Sequence, residues 1–378
     1  MGKIIQVTLG KANPENMNGV SRMVHMLADE LFSNGQDVEV WGITPTTDAQ
    51  TIIRNYPLRL FPAGRNRFRI DPGLSKHLTK LSPGDTLHFH GALIPEFWAI
   101  AKQAQKCGIR WIATPHSALM ENALSRNRLS KRVYIALVER FFLQNAFRLH
   151  SLCDVETKSI SRLAPQATII EIPNGISQAE LMAYRSANRL SPADGPAIAG
   201  FLGRLDSAQK GLDLLLSGLA MHLSNGGDTR LVIAGDGKDR INLEMLVRKK
   251  GLSKHVEFVG QVKNEEKDAF FSRIDYFVHT SRWEGIALAI VEALARSKPV
   301  LLTRETNMAA NVTGWGCGFE VHPNVPERIS AGFDFFGKAK SSGRLEGMAA
   351  AATQLIEADY LWQSLVRRFV EELYVGES

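Results

Sequence analysis

Residues Asp275–Thr303 read DYFVHTSRWEGIALAIVEALARSKPVLLT. The run "DYFVHTS" is short and apolar and ends at polar residues, so it reads as a strand. "GIALAIVEALARSK" has the length and apolar density of a helix, and "PVLLT" returns to a strand. Glutamates Glu284 and Glu292 bracket the apolar part of the helix. If both lay in that helix they would stand about 12 Å apart along its axis and about 80° apart around it. That separation is too long for a proton-sharing dyad and exceeds the spacing of paired glycosidase carboxylates. The two carboxylates therefore read as grips on two ends of one long ligand. Glu284 follows the strand and precedes Gly285, which puts it in the loop, whereas Glu292 falls inside the helix. The amides of Gly285, Ile286 and Ala287, with Leu288 beside them, mark the helix start and suit a phosphate. A plainer account makes Glu284 an acid favourable to the helix dipole and Glu292 a surface carboxylate.

The same alternation extends in both directions. Towards the amino end, "KIIQVTLG", "DVEVWGI", "TLHFHG", "IRWIATPH" and "ATIIEIPNGI" read as strands. The stretch after Gly19, with Val20, Val24, Leu27 and Leu31 at helical spacing, closes on Gly35 and reads as a helix. Pro95–Cys107 reads as another helix, and the apolar "KRVYIALVERFFLQNA" as a buried one. The pattern restarts at "AIAGFLGRL" and continues through "TRLVIAGDG" and "VEFVGQV", with "PVLLT" the last clear strand. Alternating strands and helices predict an α/β fold of parallel sheets with helices on both faces. The length of 378 residues and the restart predict two domains, joined within residues 171–200. The first boundary expected lies between 175 and 176.

In such sheets ligands bind beyond the carboxyl ends of the strands. Several candidates lie there. Arg204 follows one strand, and Lys210 precedes the next helix, a pairing suited to a diphosphate. His116 sits in a polar turn just past a strand. Gly235 and Gly237 form a strand-end glycine loop that does not continue as GxGxxG. Gly19 stands at a helix start. His88 and His90 share one strand face, with no carboxylate or cysteine close in sequence to complete a metal site. "GFDFFGKA", Gly332–Ala339, nearly matches a P-loop, but Ala339 replaces the hydroxyl residue and no clear strand precedes it; it reads as a chance match. There is no Asp-x-Asp pair, which favours neutralisation of a diphosphate by cations and amides over a divalent metal.

Composition narrows the classes further. The chain is 44% hydrophobic and 22% charged, ordinary for a globular protein. Its three cysteines, Cys107, Cys153 and Cys317, form no CxxC pair, so neither a zinc ribbon nor a disulfide framework is indicated. The amino-terminal run lacks the apolar core of a signal peptide, and no apolar run is long enough to span a bilayer, so a cytoplasmic location is expected. Residues 1–173 hold 21 Lys and Arg against 14 Asp and Glu, while the remainder holds 24 against 25. The excess gathers in 54–80 and 126–132, a distribution that fits an anionic membrane surface, a phosphate-bearing ligand or a solvated basic face.

The motifs "PNGI", "GRLDSAQKG", "AGDG", "FVGQV" and "SRWEGIALAIVEALARSKPVL", in this order, resemble the family-four retaining glycosyltransferases of GT-B fold. These are group 1 glycosyltransferases of the bacterial polysaccharide type. The resemblance covers most of the chain and is strongest over 170–305. It implies two Rossmann-like domains facing across a cleft, 1–175 with a last helix in 360–378 packing back on it, and 176–359, with the nucleotide sugar held mainly by the carboxyl-terminal one. It implies that Arg204 and Lys210 neutralise the diphosphate, that Glu292 bonds the ribose, and that Glu284 bonds the donor sugar with the amides that follow it. His116 would stand near that sugar, Gly19 near the phosphates, and the base would be received near Gln261 and Val262. The implied reaction is hexosyl transfer with retention, without metal or cofactor. UDP-glucose is the favoured donor and GDP-mannose the second. The acceptor would be a saccharide or lipid-linked saccharide of surface polysaccharide assembly, with peripheral contact to anionic membrane and no nucleic acid. Gly19 stands alone where the family often has a glycine pair, and Ile286 and Ala287 replace a common aromatic and glycine. Two rivals are a dinucleotide-dependent oxidoreductase, which would need GxGxxG after the first strand, and a non-catalytic nucleotide-binding module.

Overall fold

A computed structural model describes residues 2–13, 19–47, 54–125, 128–187 and 195–375. The chain divides into two compact units, Met1–Asn174 with Trp362–Ser378, and Gly175–Leu361.

The first unit is built on seven strands: β1 (Ile4–Leu9), β2 (Val38–Thr44), β3 (Leu58–Pro62), β4 (Thr86–His90), β5 (Arg110–Thr114), β6 (Arg148–Ser151) and β7 (Ile169–Glu171). They pair in parallel in the order β3-β2-β1-β4-β5-β6-β7. Every residue of β2, β4 and β6 is buried, as expected for a parallel sheet covered on both faces. Val7, Phe89, Phe97, Trp111 and Phe142 form the heart of one core. The last described residues, the helix Trp362–Arg368 and the π-turn Phe369–Val375, belong to this unit. Trp362, Phe369 and Tyr374 there are fully buried. Arg110 and Arg148 donate to the carbonyls of Tyr374 and Leu373, at 2.7 and 3.2 Å.

The second unit holds β8 (Ala197–Leu202), β9 (Thr229–Ala234), β10 (Val256–Gly260), β11 (Tyr276–His279), β12 (Val300–Thr303) and β13 (Gly318–Val321). Their order is β10-β9-β8-β11-β12-β13, again with every pair parallel. Tyr276 stacks on Phe336 with ring centroids 4.0 Å apart, over a core that includes Phe201, Leu215 and Phe333. In each sheet the strand order reverses once, between β1 and β4 and between β8 and β11. A ligand crevice is expected at those switch points.

Three strands depart from the reading of the sequence. β3 is a half-exposed edge strand carrying Arg59 and ending on Pro62, so it resembles a loop. β6 buries Arg148 and His150, whose polarity masks it. β13 follows "PVLLT", which is therefore not the last strand. The stretch expected as one buried helix is a helix, a π-turn over Ile135–Glu139 and a second helix. Val133 and Leu137 within it are 52% and 73% exposed, and Leu129, at the start of the first of these helices, 79%. The near P-loop Gly332–Ala339 lies inside the helix Pro326–Ser341, and a side chain at Gly332 would collide with Leu301. No helix among the described residues is long and apolar enough to cross a membrane.

Candidate active site

The second sheet presents two loops side by side at its switch point. The connection after β8 carries Arg204 and, at the end of the short helix Ser207–Lys210, Lys210, and the loop after β11 runs from Thr280 to Ala287. Gly211 makes their approach possible. It adopts φ +65°, and a Cβ there would lie 2.1 Å from the carbonyl oxygen of Thr280. The Thr280 hydroxyl donates to the carbonyls of Lys210 and Gly211 at 3.2 and 3.3 Å. Arg282 laces the loops further. Its amide donates to the Gln209 carbonyl at 2.7 Å, and its guanidinium donates to the Ser207 carbonyl at 2.6 Å and to both oxygens of Asp213 at 2.8 and 2.7 Å.

This scaffold brings the Lys210 ammonium onto the Glu284 carboxylate, with both side chains largely buried. Ser281 Oγ stands 3.3 Å from the same carboxylate oxygen and His279 Nε2 3.6 Å. Burial alone would raise the Glu284 carboxyl; the charge of Lys210 first, and then the nearby His279 ring and the hydrogen bond from Lys210, outweigh it and hold the group down at about 2. His279 is pushed below the usual histidine range, first by burial and then by the neighbouring Lys210 charge. Asn307 Nδ2 donates to the Glu284 carbonyl at 2.6 Å and fixes the main chain behind the carboxylate. The result is a preset, hydrogen-bonded ion pair at the carboxyl ends of β8 and β11.

The helix that follows begins at Leu288, three residues later than Gly285. Gly285, Ile286 and Ala287 form its approach, with Ala287 at the cap position and no side chain capping it. The first-turn amides of Leu288 and Ala289 have no acceptor within the helix. Glu292 lies one turn further on, 5% exposed, and receives Lys267 Nζ at 2.9 Å. Glu284 and Glu292 are thus parts of different elements and grip different cations.

Arg204 is exposed and donates to Gln209 Oε1 at 3.0 Å. Gly235 and Gly237 serve the backbone: side chains there would meet the Gly203 and Leu205 carbonyl oxygens at 1.9 and 2.5 Å. Their loop is pinned to the Arg204 loop by the bond from Leu205 N to Asp236 O, 3.0 Å. Gln261 is exposed and Val262 is 8% exposed, just after β10.

In the first unit, Gly19 is the opening residue of the helix Gly19–Ser33, while Asn18 lies outside the described residues. His116 follows β5 at φ +51°. Burial, and then the field of His150, push its ring down to about 3, so it is neutral at physiological pH. Its Nε2 lies 3.1 Å from His90 Nδ1. The His88 and His90 rings lie tilted against each other with centroids 4.3 Å apart, and all four of their ring nitrogens are hydrogen-bonded.

Sequence reading missed His279, Arg282, Asp213, Lys267 and Asn307. Arg282 stands inside the stretch that drew attention, beside Glu284. His279 stands in the strand of the same stretch, five residues before Glu284, while Asp213, Lys267 and Asn307 carry no local signal because their partners lie farther along the chain.

Residues 18–175 match the family described as Glycosyl transferase 4-like domain, and residues 185–353 match Glycosyl transferases group 1. The chain is 26% identical over 301 residues to a phosphatidyl-myo-inositol mannosyltransferase of Propionibacterium freudenreichii, covering 75% of this chain and 72% of that one. Among solved structures it is similar to sucrose-phosphate synthase from Thermosynechococcus elongatus, with TM-score 0.80, 19% identity and 98% of both chains covered. It is also similar to HepE of Anabaena, solved in complex with UDP and glucose, with TM-score 0.74, 15% identity and all of both chains covered. These two likenesses establish the fold, and the matched families establish the chemistry class. The chain belongs to the group 1 glycosyltransferases, enzymes of the GT-B fold.

Proposed function

We propose that this glycosyltransferase moves a hexose from UDP-glucose to a saccharide or lipid-linked saccharide in surface polysaccharide assembly, with retention at the anomeric carbon. The observation that carries the donor reading is the buried Lys210–Glu284 pair at the β8/β11 switch point. In this reading Lys210 and the exposed Arg204 neutralise the diphosphate, with the first amides of the helix from Leu288. Electrostatic stabilisation of that kind is typically the largest single contribution to catalysis. Glu284 accepts from hydroxyls of the donor sugar, and Glu292 accepts from the ribose. His116 meets the donor sugar, Gly19 lies near the phosphates, and the segment at Gln261 and Val262 receives the base. Charge neutralisation by side chains and amides takes the place of a divalent metal, in keeping with a sequence without an Asp-x-Asp pair. The domain boundaries fall near 175 and 360.

UDP is favoured by the likeness to the Anabaena protein solved with UDP and glucose. GDP-mannose is the second reading, favoured by mannosyltransferases among the relatives. The exposed Leu129, Val133 and Leu137 lie beside Lys131 and Arg132, which supports a peripheral contact with anionic membrane at the cytoplasmic face.

A thermal-shift panel of UDP, GDP and ADP with their sugar conjugates tests the donor, since a ligand of the native state raises its melting point by mass action. The melting point should respond most to UDP-glucose. No response to any nucleotide sugar would overturn the reading, and a response confined to the GDP series would replace it with the mannosyl one. The anomeric coupling of the first-formed product, read by NMR, tests retention.

A further inference from the structure

One continuous hydrogen-bonded chain runs through the interior of the first unit. It starts at His116 and ends on a main-chain carbonyl. His116 Nε2 lies 3.1 Å from His90 Nδ1, and His90 Nε2 lies 2.6 Å from Gln6 Oε1. Gln6 Nε2 donates to Tyr374 Oη at 2.9 Å, and Tyr374 Oη lies 2.7 Å from His88 Nδ1. His88 Nε2 lies 2.7 Å from Thr114 Oγ1, which lies 2.8 Å from His150 Nδ1. His150 Nε2 lies 2.9 Å from the Ile172 carbonyl oxygen. Gln6, His88, Thr114, His150 and Tyr374 are fully buried, and His90 is 2% exposed.

The far end fixes every proton. A carbonyl only accepts, so His150 carries its proton on Nε2. No carboxylate is a link in this chain, and a buried imidazolium without a counter-charge is costly, so each ring holds one proton. His150 Nδ1 is then an acceptor and takes the one hydroxyl proton of Thr114. Thr114 Oγ1 must in turn accept from His88 Nε2. His88 Nδ1 accepts from the Tyr374 hydroxyl, whose oxygen accepts from the Gln6 amide. The Gln6 carbonyl accepts from His90 Nε2, and His90 Nδ1 accepts from His116 Nε2. Every link points the same way, and reversing any one would strand a buried donor or acceptor.

We propose that Gln6 and Tyr374 are positioning residues for transfer: the chain they complete anchors His116 to the Ile172 carbonyl and holds its ring neutral, with the proton on Nε2 and Nδ1 left as the acceptor for a hydroxyl of the donor sugar. The role in transfer rests on the reading of His116 given above; the chain itself does not. An imidazole in water would exchange between tautomers and protonate near the physiological range. Tyr374 stands at the middle link and is contributed by the carboxyl-terminal segment, so that segment reaches the ligand-facing histidine through three hydrogen bonds.

The test is ring-nitrogen NMR of the full-length protein labelled with nitrogen-15 at histidine, at neutral pH and without substrate. All four rings should be neutral with the proton on Nε2; an imidazolium or an Nδ1 proton at His116 in the unmodified protein overturns the proposal. Tyr374→Phe cuts the chain at its centre and leaves the Gln6 amide free to turn over. His90 and His116 should then show a population protonated on Nδ1, while His88 and His150, still tied to Ile172 through Thr114, keep theirs on Nε2. Unchanged tautomers at His90 and His116 would overturn the proposal. Should Tyr374→Phe fail to fold, Gln6→Met removes both Gln6 links while changing no residue of the carboxyl-terminal segment, and carries the same expectation. In either variant kcat should fall about tenfold, the scale of one misplaced hydrogen bond. A kcat equal to the unmodified enzyme's in a protein whose His116 tautomer has been released would remove the positioning role. The tautomers are read without a donor, so this result stands apart from the identity of the nucleotide sugar.

Discussion

The Lys210 ammonium donates to the Glu284 carboxylate across 74 positions of sequence, at the point where the second sheet reverses its strand order. Each residue ends up buried beside the other because its loop follows a neighbouring strand of the switch point. Lys210→Met should remove the cation that offsets the burial of Glu284, and its kcat/KM should fall by about 100-fold or more. The pair also sets an acid limit on stability. The folded carboxyl sits at about 2 against an ordinary 4.5, so its contribution is present above 4.5 and is lost as pH falls from there towards 2. Melting curves of Glu284→Gln should lack that acid-side decline.

Arg282→Ala should loosen the segment that carries Lys210 while removing no residue proposed to touch the ligand. The lost bonds to Asp213 and the Ser207 carbonyl are partly exposed, so the stability cost should be about 1 kcal/mol. The kinetic cost should be larger, about tenfold or more in kcat, because misplacement of a charged group weakens transition-state stabilisation. Steady-state kinetics beside a urea titration separate the two.

Gly211→Ala places a Cβ against the Thr280 carbonyl and forces an L residue to φ +65°. The conformation alone costs about 1–2 kcal/mol, and the collision requires the two loops to part. The melting point should fall, and donor-induced stabilisation should shrink with it, both readable in one thermal-shift series.

Glu139 lies in the π-turn and is buried, with one carboxylate oxygen taking the Leu93 amide at 3.1 Å and the other without a hydrogen-bond partner. Burial pushes its carboxyl up from 4.5 to about 7, so the folded state binds a proton that the unfolded chain has released. The group therefore destabilises increasingly as pH rises from 4.5 through 7. Glu139→Gln should leave stability near pH 4 almost unchanged and raise it at pH 8 by an amount of order 1–3 kcal/mol, measured by denaturant unfolding.

Glu292→Ala should raise KM for the nucleotide sugar about tenfold with kcat nearly kept, the signature of lost binding that is equal in ground and transition states. Glu284→Ala should instead lower kcat. A matching KM effect from Lys267→Ala would extend the role to the cation that Glu292 accepts from.

The alternation of strands and helices was legible because buried parallel strands leave dense apolar runs, as in Ile4–Leu9 and Val38–Thr44. β3 and β6 were not, because Arg59, Arg148 and His150 look like loop residues until their partners are known. The exposure of Leu129, Val133 and Leu137 was hidden as well, since composition does not say which apolar face is left uncovered. At the site, Arg204, Lys210 and Glu284 stood out by their place after strands, and Glu292 by its apolar helical flanks. The helix start at Leu288 was missed by three residues, because Gly285–Ala287 carries no capping side chain to mark it.

By itself the sequence determined the periodicity of the elements, the restart into a second α/β unit and the motif order that marks a group 1 glycosyltransferase. These are local or ordered properties, fixed by hydrophobic spacing and by turn residues. Tertiary structure alone decided that Lys210 meets Glu284, that Arg282 ties their loops together, and that Tyr374 completes a chain ending at His116. Those outcomes depend on which strands become neighbours, and neighbours in a parallel sheet are joined by crossovers that separate partners widely along the chain.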